Sequence, residues 1–156
     1  IPIPHDNSNI VSSWDVLNGQ EVTGDCVVIG GGLVGAETAE YLANKGHQVT
    51  IVEMMDKIAA GESTTVLPLM MKDFADHNVK QLVNTKVDHI ENNIVYTANE
   101  QIKADTIINA LGSKKNIFDD SSITIPHVCV GDCSGERTAD IASAIRTAYK
   151  AANEID

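Results

Sequence analysis

The stretch Cys26-Val-Val-Ile-Gly-Gly-Gly-Leu-Val-Gly35 governs the reading of the whole chain. Its first four residues are apolar and mostly β-branched, the composition of a strand buried on both faces. At Gly30 the run stops and helical spacing begins: Val34, Glu37, Thr38, Tyr41 and Leu42 share a face before Asn44-Lys45-Gly46, a helix stop with a cation in the last turn. Gln48 to Glu53 reads as a second buried strand. The pattern Gly30-x-Gly32-x-x-Gly35 therefore falls on a strand-to-helix junction. There the first glycine permits a tight turn, the second lets backbone approach a pyrophosphate, and the third lets helix and strand pack closely. The helix N-terminus adds local positive potential for an anion. Glu53 stands 23 residues after Gly30, near the interval of about 20 at which an acidic side chain accepts hydrogen bonds from an adenosine ribose. A carboxylate there favours a free diol and repels a 2′-phosphate, so NAD(H) is the expected nucleotide rather than NADP(H).

Working outward, Ser63 to His77 carries Val66, Leu67, Met70, Met71, Phe74 and Ala75 at helical intervals, with Pro68 tolerated in the first turn. Val79 to Val83 reads as a third strand. Lys86 to Glu91, Ile94 to Thr97 and Gln101 to Lys103 are short, alternating and separated by turn compositions, which predicts an antiparallel meander. Thr106 to Leu111 is another buried strand ending on Gly112, and residues 113–124 read as polar loop. Ile125 to Val130 reads as a core strand, and Ala139 to Ile155 as a helix with a buried stripe of Ile141, Ala144, Ile145, Ala148, Tyr149 and Ala152. Upstream, residues 1–24 read as a lead-in with one helical turn, capped by Ser12 or Ser13 and stopped at Asn18-Gly19. The expected fold is α/β: a Rossmann-like three-layer domain with a central parallel sheet and an antiparallel β-meander, followed by a C-terminal strand-helix tail.

With 156 residues the chain can bury roughly two thirds of its unfolded surface, enough for a core without staples. A net charge of −11 removes any general basic field for nucleic acid or anionic lipid, so neither is expected as a partner. The uncharged stretch from Cys26 to Ala36 is far below the roughly 20 residues that span a bilayer, and no membrane association is expected. Three cysteines, Cys26, Cys129 and Cys133, make no disulfide framework; a reducing, cytoplasmic setting is expected. Cys26 reads as a core residue, whereas Cys129 and Cys133 flank Gly131-Asp132 at a spacing that matches neither a C-x-x-C dithiol nor an iron-sulfur run. The five histidines show no repeated ligand spacing, so no metal site is expected, and no catalytic group shows its own motif. The opening Ile1-Pro-Ile-Pro has no initiator Met and no signal pattern, so the chain reads as excised from something longer.

Four stretches together carry a family resemblance: Val27-Val-Ile-Gly-Gly-Gly-Leu-Val-Gly-Ala-Glu-Thr-Ala-Glu40, His47-Gln-Val-Thr-Ile-Val-Glu53, Ala104-Asp-Thr-Ile-Ile-Asn-Ala-Leu-Gly112 and Val130-Gly-Asp132. They resemble the pyridine-nucleotide domain of flavoproteins with two dinucleotide-binding domains. More narrowly, the chain resembles the C-terminal part of old yellow enzyme-like, iron-sulfur NADH:flavin oxidoreductases, the group of 2,4-dienoyl-CoA reductase, enoate reductases and trimethylamine dehydrogenase. That resemblance implies that Gly30, Gly32 and Gly35, with Gly31, Leu33 and Val34 of the same turn, cradle the NAD(H) pyrophosphate. It implies that Glu53 holds the adenosine ribose, that Glu37 lies towards the nicotinamide, that Leu111-Gly112 forms the return to the flavin domain, and that Asp132 binds the flavin ribityl chain.

Residues 1–24 would then be a lead-in, 25–112 the NAD(H)-binding domain, and 113–156 a tail belonging to the FAD or ADP domain of a parent protein. FAD, FMN and an iron-sulfur cluster are implied for that parent only, together with a barrel and a flavin domain as partners. The chain alone is expected to be catalytically incomplete. Two alternatives share the motifs: a disulfide-reductase or NADH-oxidase type of flavoprotein, and a nucleotide sensor that performs no chemistry. The unpartnered apolar tail carries a further expectation, that it either folds back beside the strand ending at Leu111 or, the favoured outcome, docks on a second copy to form a homodimer.

Overall fold

In chain order the elements are β1 (Ile10–Ser12), α1 (Ser13–Leu17), β2 (Cys26–Ile29), α2 (Leu33–Asn44), β3 (Val49–Val52), α3 (Leu67–Asp76), β4 (Lys80–Leu82), β5 (Val87–Glu91), β6 (Ile94–Thr97), β7 (Gln101–Lys103), β8 (Thr106–Asn109) and α4 (Ile141–Asn153), with a 3₁₀ turn at Gly131–Ser134. They come from a computed structural model that describes residues 2–112, 119–134 and 141–154. The chain divides into two units, Ile1–Gly112 and Ser113–Asp156.

In the first unit five parallel strands run in the order β1-β8-β2-β3-β4, and β5-β6-β7 form a separate antiparallel sheet. Side chains alternate across β2, and both sets are buried. Cys26 and Val28 pack with Ala36, Ala39, Leu42, Ile51, Phe74 and Ile108 in a core that α2 and α3 help to build. Val27 and Ile29 pack on the other side with Val52, Ile90, Val95 and Ile107, in a core shared with the meander. The layers are thus helices, parallel sheet and meander, as the doubly buried strand predicts.

The lead-in differs from expectation in one respect. Its helix forms, with Ser12 Oγ accepting from Trp14 N at 3.1 Å, but Ile10–Ser12 is also the edge strand beside β8. Upstream of it, Pro4 accepts from Ile90 N at 2.9 Å, and Asp6 Oδ2 from Asn92 N at 2.8 Å. The expected helix at 63–77 begins at Leu67, with Ser63 Oγ accepting from Val66 N at 3.2 Å and Pro68 in the first turn.

The second unit contains the tail helix as α4, but residues 125–130 form no strand, and Ile125 and Val128 are exposed. A strand needs a neighbouring edge to satisfy its amides and carbonyls, and among the described residues of this unit there is none. The stripe expected to be buried is also open: Ile141, Ile145 and Tyr149 are 80%, 64% and 71% exposed. Parts of the expected polar loop (113–118) and the outermost residues of the tail helix lie outside the described residues. Among the described residues no helix is long and apolar enough to cross a membrane.

Two expected results arise from the packing. Cys26 is buried, and burial first, then Asp25 and Asp105, pushes its thiol up to about 11. Iodoacetamide at pH 8 should therefore leave Cys26 unmodified in the folded chain and modify it in urea, read by peptide mass; full labelling of the folded chain would contradict this burial. Between α2 and α3, burial first and then Asp73, which also shares a hydrogen bond with it, hold the Glu40 carboxyl above its ordinary range, with Glu37 adding to the effect. A carboxyl whose folded pKa is raised costs stability as pH rises through that folded value. Glu40→Gln should accordingly stabilise the chain near pH 7, by ~0.3 kcal/mol as for a relieved like-charge pair, and not at pH 4. Thermal unfolding at both pH values checks it.

Candidate functional site

The strand order places a switch point between β2 and β8: the chain leaves β2 towards β3 and β4 on one side, and β8 and β1 occupy the other. Open parallel sheets bind ligands at such a crevice, beyond the carboxyl ends of the strands. The glycine turn lies there. Gly30 has φ +100°, and a Cβ on it would stand 2.6 Å from the Ala110 carbonyl oxygen just after β8. A Cβ on Gly35 would overlap the Gly30 carbonyl oxygen. Both positions are closed to a side chain by the protein's own backbone.

Gly32 is different. It caps α2 with φ −64° and ψ −173°, and nothing lies within 4 Å of the Cβ it lacks. Its carbonyl accepts from Ala36 N at 2.9 Å. The amides of the first helical turn, Leu33 and Val34 among them, have no partner within a helix, and no acidic residue sits in that turn. An electropositive helix end with unobstructed backbone is therefore left open in an otherwise acidic molecule.

Glu53 follows β3 and is buried. Its Oε2 accepts from Gly31 N at 2.6 Å and its Oε1 from Met55 N at 2.7 Å. Gly31 makes this approach possible, because a Cβ there would overlap Ile58 Cδ1 and stand 3.0 Å from Glu53 Cβ. A carboxylate has about four acceptor positions. Two are used by backbone, so the group is fixed in place and still able to accept from a diol.

The segment after Glu53 folds back onto the same turn, with Ala59 N donating to Gly31 O at 2.7 Å. Sequence reasoning missed Met55, Ile58 and Ala59 as supports of the site. The one available signal was the middle glycine of the Gly30-Gly31-Gly32 run, Gly31, which the bare pattern does not require. Leu111 and Gly112 follow Ala110 at the end of β8, Leu111 being 40% exposed and Gly112 having φ +87°. Glu37 is exposed on α2. The structure thus brings Gly30, Gly31, Gly32, Leu33, Val34, Gly35 and Glu53 to one place and sets the β8 end beside the turn. Asp132 is exposed in the 3₁₀ turn of the second unit. Among the described residues no three His, Cys, Asp or Glu side chains are grouped as metal ligands.

Residues 3–127 match the family model described as pyridine nucleotide-disulphide oxidoreductase. The chain is 44% identical over 159 residues to a bilirubin reductase of Mediterraneibacter gnavus, covering 97% of this chain and 24% of that protein. It is 54% identical over 57 residues to an NADH oxidase of Thermoanaerobacter brockii, covering 35% of this chain and 9% of the relative. A solved 2-naphthoyl-CoA reductase in complex with 2-naphthoyl-CoA matches with a TM-score of 0.79 and 26% identity, over 96% of this chain and 24% of that one. The chain thus spans about a quarter, or less, of the length of these relatives. These matches correct the expectation of an old yellow enzyme-like NADH:flavin oxidoreductase as the parent enzyme: the family matched is another, and it favours the disulfide-reductase or NADH-oxidase alternative. The motifs that carried the narrower resemblance are common nucleotide-binding motifs and do not separate the branches. The chain belongs to the pyridine nucleotide-disulphide oxidoreductase family.

Proposed function

We propose that this chain is the NAD(H)-binding domain of a flavoprotein of NADH-oxidase or disulfide-reductase type, and that it positions the nicotinamide against an FAD bound largely outside the chain. The observation that carries this reading is the contrast within the glycine turn. Gly30 and Gly35 are required by the protein's own packing, whereas the space beside Gly32 is free of protein atoms and lies over the open end of α2. A dinucleotide pyrophosphate fits that cradle, and the anchored Glu53 carboxylate fits the ribose diol.

Bound there, the nicotinamide supplies a hydride. The chain's own residues supply position. The backbone of Gly32, Leu33 and Val34 holds the pyrophosphate, Glu53 orients the adenosine, and the exposed Met54 and Met55 offer apolar surface for the adenine. In this reading Glu37 lies towards the nicotinamide, Leu111-Gly112 forms the return to the flavin domain, and Asp132 binds the flavin ribityl chain. Supporting this are the family match and the redox names of the relatives.

Calorimetric titration tests the nucleotide assignment. NADH should bind at least about tenfold more tightly than NADPH, a difference of ~1.4 kcal/mol, because the Glu53 carboxylate meets a diol in one and a phosphate in the other. Equal or reversed affinities would contradict the role of Glu53.

A further inference from the structure

The second unit holds a cavity of about 350 Å³ walled by residues 128–130, Ser134 and one face of α4 that includes Arg146, Thr147 and Lys150. None of these residues belongs to the glycine turn. The turn before α4 builds the wall. Gly131, with φ +70°, brings that turn against the helix, where a Cβ on it would stand 3.8 Å from Ala144 Cβ. Its amide donates to Thr147 Oγ1 at 2.9 Å, and Cys133 Sγ donates to Val130 O at 3.0 Å. The Thr147 hydroxyl in turn donates to the carbonyls of Ser143 and Ala144, at 3.1 and 3.0 Å. The polar atoms of Thr147 and Cys133 are thus committed to the protein itself. Ser134 differs: its Oγ is buried and has no hydrogen-bond partner among the described residues. Buried hydroxyls are ordinarily paired, so an unpaired one on a cavity wall marks a place where a ligand can supply the partner.

We propose that this cavity binds a small organic phosphate monoester, with the phosphate held between Arg146 and Lys150 and accepting from Ser134 Oγ. The charges point to an anion. The chain carries 11 Lys and Arg against 22 Asp and Glu, yet the cavity lining holds two cations and one acid, Glu154. Among the described residues neither Arg146 nor Lys150 has an acidic partner. The two stand four residues apart on α4, one above the other on a single face, and both are exposed, which leaves the anion an entry.

The donor set selects the monoester. A guanidinium offers a planar fork that grips two phosphate oxygens, an ammonium adds a point charge, and the serine hydroxyl donates to a third oxygen. A phosphate monoester carries about −1.5 to −2 charges at pH 7, which matches two cations. A single carboxylate would leave one of them unanswered. The cavity lies near the lower end of the range of about 300–1,000 Å³ for ligand pockets, which suits a ligand of a few carbon atoms rather than a dinucleotide. Glu154 disfavours a more highly charged polyphosphate and can accept from a hydroxyl on the ligand. The site uses no residue of the nucleotide assignment and does not rest on the proposed function.

The test titrates the full chain with glycerol 3-phosphate, followed by amide NMR and calorimetry. Saturable binding is expected, with the largest shifts at Ser134 and residues 146–151 and with the Gly31 to Gly35 amides unmoved. Arg146→Gln and Lys150→Gln should each weaken it at least about tenfold, and Ser134→Ala about threefold. Arg146→Lys, which keeps the charge and loses the fork, should fall between Arg146→Gln and the unsubstituted chain. The Gly131 amide, whose resonance depends on its bond to Thr147, reports in each variant that the turn is in place. Absence of saturation at millimolar ligand, full affinity in both Arg146→Gln and Lys150→Gln, or equal affinity for glycerate would each overturn the proposal. So would displacement of the ligand by FAD or NADH, which would make the cavity part of a dinucleotide site.

Discussion

Gly35→Ala should lower the melting temperature of the chain by about 5–10 °C, while Gly32→Ala should leave it nearly unchanged and yet weaken NADH at least about tenfold. The two glycines are three residues apart and differ only in what surrounds them. At Gly35 the new methyl group overlaps the Gly30 carbonyl oxygen, and both atoms belong to the backbone of one strand-turn-helix unit. Neither can yield without moving α2 away from β2. Overpacking of that kind costs ~1–3 kcal/mol or more, against a gain of under ~1 kcal/mol from replacing glycine within a helix. At Gly32 the methyl group meets no protein atom, and the backbone is already in a region open to any residue. The stability cost is limited to a poorer helix cap, under ~1 kcal/mol. The same methyl group occupies the space assigned to the pyrophosphate. Scanning calorimetry and NADH titration of both variants check the pair. A Gly32→Ala chain with full NADH affinity would reduce the glycine pattern to a turn.

Glu53→Ala should show both effects at once, because Glu53 supports the turn and, in the proposed function, is the group that receives the adenosine ribose. Removing it leaves the amide of buried Gly31 without its acceptor, which costs ~1–3 kcal/mol, and releases the loop at Met55. Affinity for NADH should fall with it. Glu53→Gln separates the two roles. Its side chain keeps the volume and one acceptor oxygen but loses the charge that repels a 2′-phosphate. The preference for NADH over NADPH should therefore shrink from about tenfold to within about threefold, while the melting temperature falls less than in Glu53→Ala. Retention of the full preference in Glu53→Gln would assign nucleotide selection to another group.

Much of this was legible because its causes are local. The β2-α2-β3 unit is written in a change of period from continuous apolar residues to helical spacing, punctuated by glycines whose roles the structure bears out at Gly30 and Gly35. The meander was legible from its turns: Asn92 and Asn93 both have positive φ, the conformation that a tight hairpin demands. What stayed hidden depends on distant partners. The three residues of β1 become a strand only because β8 offers an edge nearly a hundred positions later. Residues 125–130 have the apolar run of a strand, and the sequence cannot state that the described residues of their unit offer no edge. Glu53 is legible as a candidate ribose ligand, yet its anchoring through Gly31 and Met55 depends on the fold-back of a loop with no periodic signal.

Backbone amide NMR of the full chain during NADH titration reaches the central claim most directly. Binding at the glycine turn requires the largest shifts at Gly31, Gly32, Leu33, Val34, Gly35 and Met55. Saturating shifts confined to other surfaces, with the Gly31 to Gly35 amides unmoved, would contradict it.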